Sequence, residues 1–182
     1  MRALLDTCVL YPTVMREMLI GCAAAGLYEP RWSVRVLEEW AHTAGKLGAA
    51  DQMVTQGEIA RITAQFPRGT VRFDDSFARR FWLPDPADVH VLAAAVAGSC
   101  DGIVTMNAKD FPKDILGDAA LLRWEPDGFL MILHDAQPDI VRGVANRVLA
   151  EARRLSGEDW TMRALMKKAR LPRLGKTLGR LS

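Results

Sequence analysis

Residues 83–111 read LPDPADVHVLAAAVAGSCDGIVTMNAKDF, and this stretch decides the fold class. Pro86 suits the first position of a helix, residues 89–97 are apolar on nearly every face, and Gly98 is a plausible stop. A helix that is apolar all round is a buried helix. Residues 102–105 then have the composition of an interior strand, and polar side chains follow at once. The stretch therefore predicts a buried helix and a buried strand in succession, as in α/β proteins.

The chain before this stretch shows the same alternation. Residues 3–5 form a short apolar run that ends in Asp6, which predicts a buried strand with a carboxylate at its C-terminal end. Helical periodicity follows Pro12 and Ser33, and residues 70–73 alternate as a strand does. Strands that alternate with helices pair in parallel through crossover connections. We therefore expect an α/β fold, a three-layer sandwich with a mainly parallel central sheet.

The end of the chain has a different pattern. Residues 121–124 resemble one more strand, and from Pro126 onward the periodicity is helical. Breaks in this helical pattern fall at Pro138, Gly157 and Pro172. We expect an α/β domain over residues 1–126 and a helical extension over residues 127–182 that packs on the same domain.

Composition excludes several classes of protein. The chain has 182 residues, of which 49% are hydrophobic and 25% are charged, so it is expected to fold as one globular domain. No apolar run approaches the roughly 18 residues of a membrane span, so we expect no membrane association. Its cysteines, Cys8, Cys22 and Cys100, are far apart without CxxC spacing, and no secretion signal is seen. These features predict free thiols in a reducing, cytoplasmic compartment and exclude a zinc or disulfide framework.

Charge is segregated along the chain. No acidic residue follows Asp159, so residues 1–159 carry a net charge of −5 and the remainder carries +7. The basic residues of this segment, the basic tail over 160–182, are Arg163, Lys167, Lys168, Arg170, Arg173, Lys176 and Arg180. Such a tail suits RNA or an acidic protein patch, and an ordinary solvated helix face explains the charge equally well. Its apolar positions predict a structural role combined with a partner surface; they are Met162, Leu165, Met166 and Leu171.

Oxygen-bearing side chains stand at the ends of the predicted elements. They are Asp6, Asp88, Asn107 and Asp110. In a parallel sheet the C-terminal ends of the strands share one edge, and ligands bind there at the switch point of the strand order. Taken singly, each acid has a structural explanation: Asp6 as a strand-end cap, Asp88 in a helix first turn, and Asp85 or Asp110 in a turn. Taken together, they predict a carboxylate cluster that Mg²⁺ or Mn²⁺ would neutralise.

Four segments in this order resemble the acidic motifs of PIN-domain ribonucleases. They are Leu4-Leu5-Asp6-Thr7, the string SVRVLEEW with Ser33 six residues before Glu39, LPDPADVHVLAAA, and TMNAKDF. The resemblance spans residues 3–112 and is greatest to the VapC-type toxins of bacterial toxin-antitoxin pairs. It implies that Asp6, Glu39 and Asp88 form an acidic triad around Mg²⁺ or Mn²⁺.

The resemblance also assigns roles around this triad. Asp110, with Asn107, matches the fourth acidic position, and Thr7 and Thr105 match small hydroxyl positions that bind an acid or a substrate phosphate. We expect Thr7, Thr105 and Asn107 to bind the substrate. Helical periodicity does not choose between the adjacent Glu38 and Glu39, whereas the spacing from Ser33 favours Glu39. The three histidines lack metal-binding spacing and are expected to be ordinary surface or packing residues.

The resulting functional prediction is a metal-dependent endoribonuclease that is the toxin of a toxin-antitoxin pair. The resemblance implies an RNA substrate, a homodimer and a cognate antitoxin protein. Two alternatives stay open: a non-catalytic RNA-binding regulatory module on the same fold, and a structure-specific DNA nuclease.

Overall fold

The computed structural model describes residues 1–180, which form two compact units. The first, the sheet unit, comprises Met1–Tyr11 and Tyr28–Trp124. The second, the helical unit, comprises Pro12–Leu27 and the chain from Glu125 onward. The last two residues of the predicted extension, 181 and 182, lie outside the described residues. No described helix has both the length and the apolar character needed to cross a bilayer.

A parallel sheet forms the centre of the sheet unit. In the described part of the chain its strands are β1 (Arg2–Leu5), β2 (Glu29–Ser33), β3 (Thr70–Val71), β4 (Gly102–Val104) and β5 (Leu122–Trp124). They pair in the order β3-β2-β1-β4-β5, and every pair is parallel. The chain first extends the sheet on one side of β1 and then returns to add β4 on the other side. This reversal places the topological switch point between β1 and β4, and the predicted α/β class with a parallel sheet is confirmed.

Helices connect and follow the strands. In chain order they are α1 (Thr7–Leu10), α2 (Thr13–Ala24), α3 (Val34–Gly45), α4 (Ala49–Gln65), α5 (Asp75–Ala78), a 3₁₀ helix (Pro86–Asp88), α6 (Val89–Ala97), α7 (Lys113–Asp118), α8 (Pro126–Ala136), α9 (Pro138–Ser156), α10 (Met162–Lys168) and α11 (Pro172–Leu178). Two sequence features act as predicted in the sheet unit. Ser33 caps α3, since its Oγ accepts a hydrogen bond from Val36 N at 3.1 Å. Helix α6 packs against β1, β2 and β4, and its residues 90–95 are buried.

Strand β2 was not predicted from the sequence. It contains Pro30, and proline lacks the N–H that a central strand usually needs. The pairing explains why Pro30 is tolerated. On the side of β2 that faces β1, Glu29 N donates a hydrogen bond to Met1 O. On the side that faces β3, Trp32 N donates a hydrogen bond to Gly69 O. Because alternate N–H groups point to opposite sides, Pro30 faces the side of β3, which begins only opposite Trp32.

The helical unit contains α2 and α8 to α11. The predicted breaks occur where expected: Pro138 begins α9, Gly157 ends it in a left-handed conformation (φ 69°), and Pro172 begins α11. The apolar positions of the basic tail are buried, whereas its seven basic residues are exposed. Asp127 is buried, and its carboxylate accepts hydrogen bonds from Arg173 N and Leu174 N at 2.8 and 3.0 Å.

Helix α2 lies in the helical unit although it interrupts the chain of the sheet unit. From the sequence, α2 was expected in the α/β domain over residues 1–126. The predicted domain boundary after residue 126 stays a prediction. In the structure the sheet unit ends at Trp124, and the last segment of the helical unit begins at Glu125.

Candidate active site

The carboxylate of Asp6 is held at the C-terminal end of β1. Thr105, which follows β4, donates its hydroxyl to Asp6 Oδ2 at 2.7 Å, and Asp6 N donates to Val104 O at 3.2 Å. The Cys8 thiol donates to the same Oδ2 at 3.1 Å. Asp6 and Thr105 are both buried. Since β1 and β4 are paired neighbours, the two strand ends bring together residues that lie 99 positions apart in the chain.

Asn107 extends this arrangement to two further carboxylates. Its backbone N–H donates to Thr105 Oγ1 at 2.9 Å. Its side-chain amide donates to Asp88 Oδ2 at 3.2 Å and also to Asp110 Oδ2. A continuous set of hydrogen bonds therefore connects Asp6 to Asp88 and Asp110 through Thr105 and Asn107.

Asp85, Asp88 and Asp110 form an acidic cluster. One carboxylate oxygen of each lies within 4.8 Å of the others. Asp85 also accepts a hydrogen bond from Ala87 N at 2.8 Å, which is the turn role that the sequence indicated for it. The sequence indicated Asp85 as one of four acids at the predicted binding edge but not as a metal ligand. The signal was available in the segment Asp-Pro-Ala-Asp, because a three-residue spacing in a helical turn brings two carboxylates to one side.

This clustering perturbs the pKa of Asp88. Burial and the negative charges of Asp6, Asp85 and Asp110 raise the pKa of Asp88 from its ordinary 3.8 to about 6. Nearby His90 opposes the rise only in part. The electrostatics thus disfavour a full set of charged carboxylates unless a cation neutralises them.

Glu39 lies in a different set of contacts. Thr7 donates its hydroxyl to Glu39 Oε2 at 3.1 Å, and Arg35 Nε donates to Glu39 Oε1 at 3.1 Å. His90 Nε2 lies 3.0 Å from the same Oε1. Burial alone raises the pKa of Glu39, but His90, Arg35 and Thr7 outweigh it and hold this pKa below its usual range. Glu39 is therefore ionised at neutral pH.

The adjacent residues Glu38 and Glu39 have different surroundings in the structure. Thr7, which follows Asp6 directly, contacts Glu39, whereas Glu38 is exposed on α3. Asp6 and Glu39 lie outside the group of carboxylates whose oxygens are mutually within 4.8 Å. Asp6 joins that group through Thr105 and Asn107, and Thr7, the residue after Asp6, contacts Glu39.

His90 has a role that its sequence did not suggest. It is buried at the start of α6, and its Nδ1 lies 3.5 Å from the hydroxyl of Ser33 while its Nε2 faces Glu39. The expectation of an ordinary packing residue missed this contact. Spacing between histidines in the sequence indicates metal ligands. A histidine that orients a carboxylate needs no such spacing, so no pattern in the sequence indicated this contact.

The donor set of this region fits a hard divalent cation. The cluster offers carboxylate oxygens, and the neighbouring Asn107 and Thr105 supply amide and hydroxyl groups. Mg²⁺ and Mn²⁺ prefer such oxygen ligands, and they retain several waters when bound. The same grouping of carboxylates that raises the pKa of Asp88 would favour the binding of a divalent cation.

Residues 2–109 match the sequence profile of the PIN domain. The chain belongs to the PIN domain family. The match includes Asp6, Glu39, Asp88 and Asn107 and ends one residue before Asp110. PIN domains are generally nucleases, which are hydrolases of phosphodiester bonds, and they use divalent metals. Searches of curated proteins and of solved structures gave no significant match to this PIN domain protein.

Proposed function

We propose that this PIN domain protein is a metal-dependent endoribonuclease and the toxin of a toxin-antitoxin pair. The observation that carries the proposal is the convergence of Asp6, Asp88 and Asp110 through Thr105 and Asn107. This convergence lies where β1 and β4 end, at the switch point where α/β sheets bind their ligands.

The proposed metal ligands are Asp6, Glu39, Asp88 and Asp110, with Asp85 available beside them. A bound Mg²⁺ or Mn²⁺ would supply an activated water and charge stabilisation for phosphodiester hydrolysis. The residues of the chain orient the ligands for this ion. Thr105 and Asn107 fix the rotamers of Asp6 and Asp88, and Thr7, Arg35 and His90 hold Glu39 ionised.

Thr7, Thr105 and Asn107 were assigned to substrate binding by the family resemblance. In the structure each of these side chains donates a hydrogen bond to a carboxylate: Thr7 to Glu39, Thr105 to Asp6, and Asn107 to Asp88. These contacts support a role in orienting metal ligands. Asn107 is half-buried, as Thr7 is, whereas Thr105 is buried, and Asn107 stays our candidate for a contact to a scissile phosphate.

The resemblance to VapC-type toxins supports three further parts of the proposal: an RNA substrate, an antitoxin partner and a homodimer. The full set of acidic positions argues against a non-catalytic RNA-binding module, since unmetallated carboxylates repel a phosphate backbone. A structure-specific DNA nuclease would use the same metal chemistry, so substrate choice is the property to measure.

The experiment is a cleavage assay on purified protein with single-stranded RNA, duplex RNA and single-stranded DNA. Each substrate is tested with Mg²⁺, with Mn²⁺ and with a chelator. Asp6→Asn and Asp88→Asn are expected to abolish cleavage, and Asp118→Asn, an exposed carboxylate on α7, is the matched control. Cleavage that persists in chelator, or near wild-type turnover of either site variant, would refute the metal mechanism.

The toxin assignment has a separate test in cells. Induced expression of the wild-type protein should arrest growth, and Asp6→Asn should not. If a small reading frame beside the gene encodes a product that restores growth, this would support the assignment to a toxin-antitoxin pair. Growth unaffected by active, soluble wild-type protein would overturn the toxin assignment while leaving the nuclease activity in place.

A further inference from the structure

Helices α10 and α11 carry an exposed face of positive charge. Spacings of three or four residues place side chains on the same side of a helix, and the cations of both helices follow such spacings. All of them are exposed, whereas the leucines and methionines between them are buried. We call the following residues the basic face: Arg163 and Lys167 of α10, Arg173 and Lys176 of α11, and Arg180 just after α11.

Close packing of α10 on α11 brings the charges of the two helices together. Gly175 lies so near α10 that a Cβ at its position would be 2.8 Å from Met166 Cβ. A Cβ at Gly179 would be 3.3 Å from Arg163 Cβ. Arg163 of α10 therefore lies against the residue that precedes Arg180, so cations from both helices contribute to one surface.

No acidic side chain neutralises the basic face. In the described range 1–180, none of its five side chains forms an ion pair. Helix α9 is different, because Arg142 pairs with Asp139 at 3.1 Å and Arg154 pairs with Glu151 at 2.6 Å. The paired charges of α9 are those of an ordinary solvated helix. A surface that gathers unpaired charges of one sign attracts an anionic partner.

The surroundings of the basic face favour phosphate over a protein or a membrane. Every leucine and methionine of α10 and α11 is buried, and the exposed neighbours of the cations include only the small Ala164 and Pro172 among apolar residues of the two helices. Protein interfaces have an apolar centre and are depleted in lysine. Helices that lie on membranes insert an apolar face. The basic face therefore offers a partner charge alone, which is what a phosphate backbone binds.

The absence of exposed aromatic rings favours a double helix over a single strand. Neither α10 nor α11 contains an aromatic residue, and the nearest one in the sequence, Trp160, is half-buried with Lys168 Nζ at 4.6 Å from its ring centroid. Proteins that bind single strands stack the bases on aromatic rings. A double helix keeps its bases stacked and presents its phosphates at a higher density, so that each contact releases more counterions.

We propose that the basic face binds the phosphate backbone of double-helical RNA, independently of base sequence. The face belongs to the helical unit, whereas the candidate active site belongs to the sheet unit, so the chain has a second site for nucleic acid. The choice of RNA over DNA rests on the proposed ribonuclease function. Binding at the basic face requires neither a metal nor cleavage.

Binding is measured by fluorescence anisotropy with a labelled RNA duplex of about 16 base pairs, the length that compact duplex-binding domains span. The full chain is used, because the buried residues of α10 and α11 have a structural role. It carries Asp6→Asn and the buffer contains a chelator, so that the RNA stays intact. A double helix gives a slope of log affinity against log salt of about −0.9 per phosphate contact.

The test variant combines Arg163→Gln with Lys176→Gln, which removes one cation from each helix. We expect it to weaken duplex binding by about tenfold or more at low salt and to flatten the slope by about 1.8. Exchanging the two residue types, with Arg163→Lys and Lys176→Arg, keeps the charge and should restore binding to within about twofold of the parent. Thermal unfolding of each variant shows whether its fold is intact.

The matched control removes the same positive charge from α9. Arg142→Gln with Arg154→Gln changes two arginines of the same unit whose charges are already paired with acids. This control should bind duplex RNA with the affinity and the salt slope of the parent. If the test variant binds as well as the control does, the basic face is not a binding site.

Other partners give different results. Single-stranded RNA of the same length bound more tightly than the duplex would overturn the choice of a double helix, and duplex DNA bound more tightly than duplex RNA would overturn the choice of RNA. A polyglutamate peptide or vesicles with anionic lipid that displace the duplex at equal charge concentration would assign the face to a protein or a membrane instead.

The outcomes also separate this site from the proposed nuclease. If the wild-type protein cleaves no nucleic acid but the test variant loses duplex binding, the proposed function fails and the basic face stands. If the wild-type protein cleaves RNA but the test variant binds the duplex as the control does, the basic face alone fails.

Discussion

Replacing Asp88 by asparagine should stabilise the metal-free protein while it abolishes cleavage. In the folded chain, burial and the charges of Asp6, Asp85 and Asp110 raise the pKa of Asp88 from 3.8 to about 6. The folded state therefore keeps a proton on Asp88 at pH values where the unfolded state has lost it. Such a group makes the folded state less stable as the pH rises from about 4 to 6, and the full cost is present above pH 6.

The magnitude follows from the size of the pKa change. One pH unit is worth about 1.36 kcal/mol, so a rise from 3.8 to about 6 corresponds to at most about 3 kcal/mol. Asp88 is only half-buried, and solvent screening reduces the expected gain for Asp88→Asn to about 1–2 kcal/mol. For a chain of this size the melting temperature should rise by roughly 2–8 °C. The new amide can still accept the hydrogen bond from Asn107.

The assay is thermal unfolding followed by circular dichroism in a chelating buffer. The difference between Asp88→Asn and the wild type should be full at pH 8 and mostly absent at pH 4, since the wild-type Asp88 is then protonated in the folded state. Asp118→Asn, which removes an exposed carboxylate from the same unit, should change little. Mg²⁺ should raise the melting temperature of the wild type more than that of Asp88→Asn. An Asp88→Asn protein that melts at or below the wild type at pH 8 in chelator would refute the reasoning.

Three further predictions concern other parts of the chain. Glu39→Gln should lower kcat for metal-dependent cleavage at least tenfold more than Glu38→Gln does, because only Glu39 is held by Thr7; the reverse order in the cleavage assay would move the second acid to Glu38. Truncation after Asp159 removes the buried apolar residues of the basic tail and should lower the melting temperature without any ligand, whereas an unchanged melt with a flattened RNA salt slope would assign the tail to RNA. Asp127→Ala leaves two backbone N–H groups at the start of α11 unpaired and should cost about 1–3 kcal/mol in denaturant unfolding, and a loss below 0.5 kcal/mol would show that water replaces the carboxylate.

Local patterns in the sequence determined the elements that carry the site. The apolar run of α6, the cap at Ser33 and the short strand before Asp6 are each encoded by residues within a few positions, so periodicity and capping chemistry predict them. The shared edge of Asp6 and Asn107 also followed from the sequence, because parallel crossover connections place successive strand ends together. The observed strand bounds differ from the predicted ones by one or two residues: β3 covers Thr70–Val71 rather than residues 70–73, and β1 begins at Arg2 rather than at residue 3.

Contacts between residues far apart in the chain were decided only by the tertiary structure. Strand β2 tolerates Pro30 because this residue faces a side of the sheet where β3 has not begun, and no local propensity contains that information. The same holds for His90 beside Glu39. Residue type and spacing determine which groups stand at the end of an element, whereas the distance between two such groups depends on the packing of every element between them.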